Sequence, residues 1–218
     1  MKKFIIPVLF TIALISCKNE KSEEQLIEET PELSMQVAQK SGFDQWNDVK
    51  QVEFTFNVER NGETMASRSW QWNPKSDQVT LKSNDETITY NRQQKLDSLA
   101  ISADRAFVND VYWLLPQFKM AWDNGKEITY PESADGKMVQ VQYTGNDGYT
   151  PGDRYDMVID DQMMINKWMY YPKGATQPAM TTSFEDYEDY NGIKIATNHR
   201  TEDGTLNIYF TDINITKE

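Results

Sequence analysis

Cysteine and histidine are almost missing from this sequence, with one of each among its 218 residues. The single cysteine, Cys17, allows no intrachain disulfide, so the stability of the fold must come from its core. A single histidine excludes metal sites that need two or more histidine ligands. A Ser-His-Asp triad would have to use His199, which we instead expect to be an exposed or hydrogen-bonded structural residue.

The motifs that mark common catalytic sites are also absent from the sequence. It contains no G-x-S-x-G nucleophile elbow, no phosphate-binding P-loop and no glycine fingerprint of a dinucleotide site. Adjacent acids such as Asp160 and Asp161 are typical of solvated turns, and the segment 146–148 lacks the spacing of a calcium-binding EF-hand. We therefore predict a protein that is not an enzyme and that uses no metal and no cofactor.

Positive charge is scarce, since the formal net charge is −12 and the isoelectric point is about 4.6. An acidic chain repels phosphate backbones, so nucleic acid is not an expected partner. The hydrophobic fraction of 39% is that of a globular protein. The charge keeps such a protein soluble, and we expect a monomer.

The N-terminus combines a basic start with a short apolar run. Lys2 and Lys3 precede residues 4–15, which are almost entirely apolar. A membrane-spanning helix needs about 20 apolar residues, so this run is too short and predicts a secretory signal peptide over residues 1–16. The sequence LISC at 14–17 resembles a bacterial lipobox. That resemblance implies that Cys17 is acylated and that acyl chains anchor the protein to a membrane.

Residues 17–29 are rich in glutamate and lysine. They have little to bury, so they are predicted to form a flexible, lipidated tether. Lys18 follows the cysteine, in place of the aspartate that marks inner-membrane retention among bacterial lipoproteins. This implies a lipid-anchored protein of the cell outer membrane, with the periplasmic face and the cell surface both left open.

Alternation of apolar and polar residues begins at Val52 and recurs towards the C-terminus. Such strands have one buried and one wet face, which is typical of antiparallel sheets. The dipeptide Asn61-Gly62 predicts a tight hairpin turn. Further turns are predicted at Asn84-Asp85, Asn191-Gly192 and Asp203-Gly204.

Residues 30–218 are therefore predicted to form one mainly β (α+β) domain. We expect a large, curved, antiparallel and unclosed β half-barrel of about ten or eleven strands, with short helices covering its concave face. A first helix should begin with Thr30 as N-cap and end at Gly42. A β-sandwich is the alternative architecture.

The most apolar segment of this domain is FVNDVYWLLPQFKMAW, residues 107–122. Pro116 blocks helix continuation and pushes Leu115 out of the helical region. The segment predicts one or two short helices that must be covered on most sides, with Ser102 as N-cap. Two roles stay open for it: a permanent plug of the core, or a lid over an apolar cavity.

Three segments together resemble one bacterial family: FVNDxYWLLPxFK at 107–119, DYNGIKI at 189–195 and DINI at 212–215. In this order, behind a lipobox, they are similar to Gram-negative lipoproteins related to the lipoprotein-localisation factors, the LolA/LolB-like superfamily. The resemblance spans roughly residues 33–215. It implies a half-barrel whose concave face, lidded by helices, holds a hydrophobic cavity for acyl chains.

The predicted function is non-catalytic binding of a lipid or other hydrophobic small molecule by this lipoprotein. Tryptophan and methionine side chains in the strands and in the plug support an apolar cavity, because methionine adapts to irregular apolar shapes. The residues predicted to form the cavity and its lid are Phe54, Phe56, Trp70, Trp72, Phe107, Trp113, Leu114, Leu115, Phe118, Met157, Trp168 and Met169. The alternatives are a cell-surface interaction or structural module with a filled core, and an unfamiliar glycan-acting enzyme with paired carboxylates.

Overall fold

The structure is a computed structural model that describes residues 32–83, 86–146 and 148–218. Four predicted features lie outside these residues: the signal peptide 1–16, the tether 17–29 with Cys17, the helix start at Thr30 and the turn Asn84-Asp85.

The described residues contain twelve strands, and neighbouring strands pair antiparallel. The strands are β1 (Val49–Arg60), β2 (Glu63–Asn73), β3 (Gln78–Ser83), β4 (Glu86–Asn91), β5 (Lys126–Thr129), β6 (Lys137–Tyr143), β7 (Arg154–Ile159), β8 (Ile165–Tyr171), β9 (Met180–Ser183), β10 (Glu185–Tyr190), β11 (Ile193–Arg200) and β12 (Leu206–Lys217). One sheet has seven strands in the order β10-β11-β12-β1-β2-β3-β4, and the other has five in the order β5-β6-β7-β8-β9.

The long hairpin β1–β2 turns at the predicted dipeptide. Asn61 has φ 52° and Gly62 has φ 80°, the pair of left-handed conformations that a type I′ turn requires. On its other edge β1 pairs with β12, where Phe56 lies opposite Phe210. The first and last strands of the domain therefore lie side by side.

The two sheets meet where the chain leaves β9 and enters β10, with only Phe184 between these strands. The backbone N–H of Arg200 in β11 donates to the Ser183 hydroxyl at 3.1 Å. The mainly β, antiparallel and unclosed half-barrel with short helices is confirmed. The described residues form twelve strands instead of about ten or eleven, because the four-residue strands β5 and β9 are too short to show alternation in the sequence.

Three α-helices are present in the described residues: α1 (Leu33–Lys40), α2 (Ser98–Leu114) and α3 (Pro116–Trp122). A 3-10 helix, Phe43–Asp48, follows α1. The predicted end of α1 at Gly42 is confirmed, since Gly42 has φ 95° and a Cβ there would overlap the carbonyl oxygen of Gly192. Glycine thus lets α1 approach the β10–β11 turn.

The predicted break in the apolar segment is confirmed. Helix α2 ends at Leu114, and Pro116 occupies the first turn of α3. The predicted N-cap Ser102 is wrong: α2 begins earlier, and its N-cap is Asp97, whose carboxylate accepts from the Ala100 N–H at 2.8 Å. No helix within the described ranges has the length and apolar character to cross a membrane.

Helix α2 lies between the two sheets and contacts both. The Phe107 ring packs edge-on against Trp70 of β2, with centroids 5.3 Å apart. On the other side, Tyr112 lies 4.4 Å from the Tyr155 ring of β7. The helix therefore occupies the concave side of the half-barrel, and its two sides meet different sheets.

Candidate functional site

A cavity of about 510 Å³, here called the intersheet cavity, opens between the two sheets beside α2. The residues that line it are Phe56, Val58, Arg68, Arg105, Val108, Asn109, Tyr112, Trp113, Tyr149, Thr150, Tyr155, Trp168, Tyr170, Met180 and Ile208. Most of these side chains are aromatic or aliphatic. Both the volume and the lining are typical of a site for a small apolar ligand.

One side of the intersheet cavity is a continuous wall of aromatic rings. The Trp113 ring of α2 lies 4.3 Å from Trp168 of β8. Trp168 in turn contacts Tyr155 at 5.5 Å and stacks on Tyr170 at 6.1 Å. Because Trp168 and Tyr170 are two residues apart on one strand, alternation turns both towards the cavity. Such rings give a large, rigid apolar surface.

The opposite side of the intersheet cavity is formed by the seven-stranded sheet. Phe56 and Val58 are two residues apart on β1, and Val58 lies opposite Ile208 of β12. Arg68 of β2 lies opposite Phe56, and its guanidinium stands 4.8 Å from the centroid of that ring. The period-two pattern of the sequence thus produces this apolar side.

Arg68 also fixes α2 to β2 through the buried carboxylate of Asp110. The guanidinium donates two hydrogen bonds, from Nε at 2.8 Å and from Nη2 at 2.7 Å. The Trp70 indole N–H and the Asn109 amide donate to the same carboxylate at 2.8 and 3.0 Å. Burial raises the pKa of Asp110, and these donors counteract the rise. The pair sets the position of the helix against the sheet.

A second cavity, the polar cavity, has a volume of about 600 Å³ and adjoins the first. Val108, Tyr112, Tyr149 and Thr150 line both cavities. The remaining residues of the polar cavity are Arg92, Asp104, Lys119, Asp123, Asn124, Tyr143 and Gly148. Helix α2 is therefore a wall shared by two spaces of different polarity.

The charges of the polar cavity are paired with one another. Arg92 Nε donates to Asp104 at 2.7 Å, and the Tyr149 hydroxyl donates to the same carboxylate at 2.9 Å.

A similar pair lies at the C-terminal end of α3, where Asp123 is the C-cap. Lys119 Nζ lies 3.1 Å from Asp123 Oδ2, and the Tyr143 hydroxyl donates to that oxygen at 2.6 Å. Burial lowers the pKa of the Lys119 ammonium, and Asp123 opposes this shift. Each cation thus has a carboxylate partner, so the polar cavity carries little net charge.

The structure brings three of the twelve predicted site residues to the intersheet cavity: Phe56, Trp113 and Trp168. Eight others are buried in the core away from its lining, namely Phe54, Trp70, Trp72, Phe107, Leu114, Leu115, Phe118 and Met157. Met169 stands between the lining residues Trp168 and Tyr170, so alternation places it on the other face of β8. Contact of any of the twelve with a ligand stays a prediction.

Several lining residues were missed by the sequence analysis, above all those of α2. Arg105, Val108, Asn109 and Tyr112 follow helical spacing of three and four residues. This spacing was the available signal. The predicted helix start at Ser102 concealed this spacing, because it placed Arg105 in the first turn, where too few residues precede it to define one side of the helix.

His199 is not exposed, which was one of the two positions expected for it. Its ring is fully buried and lies 4.1 Å from Phe184 and 5.4 Å from Trp113 between ring centroids. Burial lowers the pKa of His199 to about 3, so the imidazole is neutral at physiological pH. Strand alternation in β11 turns this residue inwards, although its neighbour Arg200 is exposed.

Comparisons with known proteins give distant likenesses. No protein-family profile matches the sequence, and no curated protein matches it. A solved DUF1329 family protein from Desulfovibrio piger ATCC 29098 is similar at 13% identity and a TM-score of 0.48, over 84% of this chain and 91% of that chain. The LolA superfamily protein NE2245 from Nitrosomonas europaea is similar at 10% identity and a TM-score of 0.46, over 85% and 94%. At these values the likeness assigns neither a family nor an activity to this chain.

Proposed function

We propose that this protein binds an apolar ligand, such as an acyl chain, in the intersheet cavity and does so without catalysis. The observation that carries the proposal is the cavity itself, which is about 510 Å³ in volume and is walled mainly by aromatic and aliphatic side chains. Cavities of roughly 300–1,000 Å³ with such a lining are the usual sites for small ligands. A few polar groups, such as Arg105 and Asn109, would orient the ligand.

The same geometry favours a ligand-binding protein over an interaction module with a filled core. A filled core would leave no space beside Trp113, whereas this residue borders the intersheet cavity. The positions of residues in the apolar segment support both roles that the sequence left open. Phe107 and Leu114 are buried in the core, while Val108 and Tyr112 line the cavity.

We further propose that acyl chains on Cys17 anchor the protein to the outer membrane, as the lipobox-like sequence suggests. Cys17→Ser should abolish partitioning of the protein into the detergent phase of a phase-separating detergent. Membrane association of the variant equal to that of the parent would contradict this anchor.

Ligand binding is testable on the chain from Lys18 to Glu218. This chain is suitable because every residue of the described core lies between Val37 and Ile215. Native mass spectrometry of the protein purified from bacteria should show a co-purified apolar ligand. Titration with an uncharged fluorescent alkyl probe should show saturable binding. A well-folded protein that carries no ligand and takes up no probe would contradict the proposal.

A pair of tryptophan substitutions in one hairpin localises the binding. Val58→Trp adds bulk to the wall of the intersheet cavity and should weaken probe binding by roughly tenfold or more. Met65→Trp, on the neighbouring strand, is the control because Met65 is 61% exposed and does not line the cavity. Urea denaturation of both variants separates lost binding from lost folding.

A further inference from the structure

Among the described residues, each cation that lines the two cavities has a carboxylate partner, with a single exception. Arg68 pairs with Asp110, Arg92 with Asp104 and Lys119 with Asp123. Arg105 is the fourth cation that lines these cavities. Among the described residues, no carboxylate lies within ion-pair distance of it, and its recorded contact is with the Tyr149 ring at 5.3 Å.

Arg105 lies at the rim of the intersheet cavity. Its side chain is exposed, and so is Asn109, one helical turn further along α2. Deeper in the same cavity, Phe56 and Trp168 are almost completely buried. The intersheet cavity is therefore polar and cationic at its mouth and apolar inside.

A ligand that matches this cavity has an anionic group at one end and an apolar chain at the other. An unpaired guanidinium at the edge of an apolar space binds a carboxylate or phosphate through two parallel N–H donors. The adjoining polar cavity offers no such site, because its cations are already held by Asp104 and Asp123. In a chain of net charge −12, Arg105 is the lining cation for which the described residues supply no carboxylate, so its guanidinium is available to the negative charge of a ligand.

We propose that the ligand is an anionic amphiphile, whose chain lies in the intersheet cavity and whose acidic head binds Arg105 at the rim. Asn109 supplies a second, uncharged donor to the head. This proposal rests on the proposed function, since it names the class of ligand that the same cavity takes. A carboxylate head and a phosphate head share the required chemistry.

The test uses three ligands of one chain length: dodecanoate, dodecyl phosphate and dodecanol. Each displaces an uncharged fluorescent alkyl probe from the chain Lys18–Glu218 at low ionic strength. At least one anion should bind about tenfold more tightly than dodecanol, as expected for a charge-assisted contact at a partly solvated rim. The anion that binds more tightly shows whether the cavity prefers a carboxylate or a phosphate head group. Added salt should reduce the difference in affinity between the anions and dodecanol, because charges at a solvent-exposed rim are screened.

Three variants locate the contact. Arg105→Gln should remove the preference for the anions, because it should weaken binding of the anions about tenfold more than binding of dodecanol. Arg105→Lys retains the charge and should keep part of the preference, because lysine lacks the planar fork. Lys82→Gln is the charge-matched control on the exposed face of β3 and should change nothing.

Two results would overturn the proposal: equal binding of dodecanol and both anions, or an Arg105→Gln effect that is the same for all three ligands. If none of the three ligands and no probe bind, the proposed function itself fails, which is a distinct outcome.

Discussion

Helix α2 has two sides that meet different surroundings. On one side Phe107, Val111 and Leu114 are buried among the aromatic residues of the core. On the other side Val108 and Tyr112 border the two cavities. Residues three or four apart share one side of a helix, so Phe107 and its neighbour Val108 face different surroundings, as do Val111 and Tyr112.

The comparison separates stability from binding on a single helix. Close-packed side chains leave no room for change, so substitutions on the core side should cost free energy of unfolding. Side chains that border a cavity have fewer neighbours to lose. Substitutions there should leave the fold intact and alter the ligand. The predictions below test this division, beginning with the largest expected effect.

Phe107→Ala should give the largest loss of stability. Its ring packs edge-on against both Trp70 and Trp72, at 5.3 and 5.5 Å between centroids. Truncation leaves a void in the core, so the free energy of unfolding in urea should fall by about 3–5 kcal/mol. Ile101→Ala is the control on the same helix, since Ile101 is 43% exposed and its loss should cost less than about 0.5 kcal/mol. Equal losses of unfolding free energy in the two variants would contradict the division of α2 into a core side and a side that tolerates substitution.

Asp110→Ala should have the next largest effect. It leaves the Arg68 guanidinium and the Trp70 indole N–H without their acceptor. Removing one partner of a buried pair costs about 3–5 kcal/mol, and we expect the lower end because Arg68 is 26% exposed. Asp110→Asn keeps an acceptor oxygen and should cost less. A stability of Asp110→Ala equal to that of the parent would show that the pair does not hold α2 in place.

His199 gives the core a dependence on pH. Its pKa is lowered to about 3 in the folded protein, against about 6.5 in an unfolded chain. Below pH 6.5 His199 binds a proton in the unfolded chain but stays neutral in the folded protein. The free energy of unfolding therefore falls as the pH falls. Between pH 8 and pH 5 this contribution should be about 2 kcal/mol.

The variant His199→Leu isolates that contribution. Leucine has a similar size and no proton to bind, so the variant should lose about 2 kcal/mol less than the parent over the same interval. The comparison uses urea denaturation of both proteins at each pH, which cancels the carboxylates they share. Parallel curves for the two proteins would contradict a neutral, buried His199.

Arg105→Gln should have the smallest effect on stability. Arg105 is exposed, and the structure records no carboxylate partner for it among the described residues. Its free energy of unfolding should change by less than about 0.5 kcal/mol, even though the same variant should lose its preference for anionic ligands. A large loss of stability would place Arg105 among the structural residues of α2.

Local sequence patterns predicted much of the fold. Asn61-Gly62 predicted the β1–β2 turn because few other pairs accept two positive φ angles. Pro116 predicted the break between α2 and α3 because its ring blocks helix continuation. Alternation along β1 predicted the buried side that carries Phe54 and Phe56. Each of these features depends on residues close together in the chain.

The site was predicted less well because it is assembled from distant segments. Phe56, Trp113 and Trp168 were expected at the cavity and line it, but apolar character alone did not distinguish them from core residues such as Phe54 and Met157. Arg68 and Arg105 are polar, so a search for apolar lining residues passed them over. Only the packing of α2 against the sheets shows that Arg68 pairs with Asp110, whereas Arg105 has no carboxylate partner among the described residues.

The sequence by itself determined the turns, the helix break and the one-sided strands of this protein, because short-range sterics and periodicity decide those features. The tertiary structure alone decided that the twelve strands of the described residues form two sheets, that α2 lies between them, and that one side of α2 borders a cavity. A cavity is the space left between elements far apart in the chain. Its shape and charge therefore depend on packing, which no local pattern records.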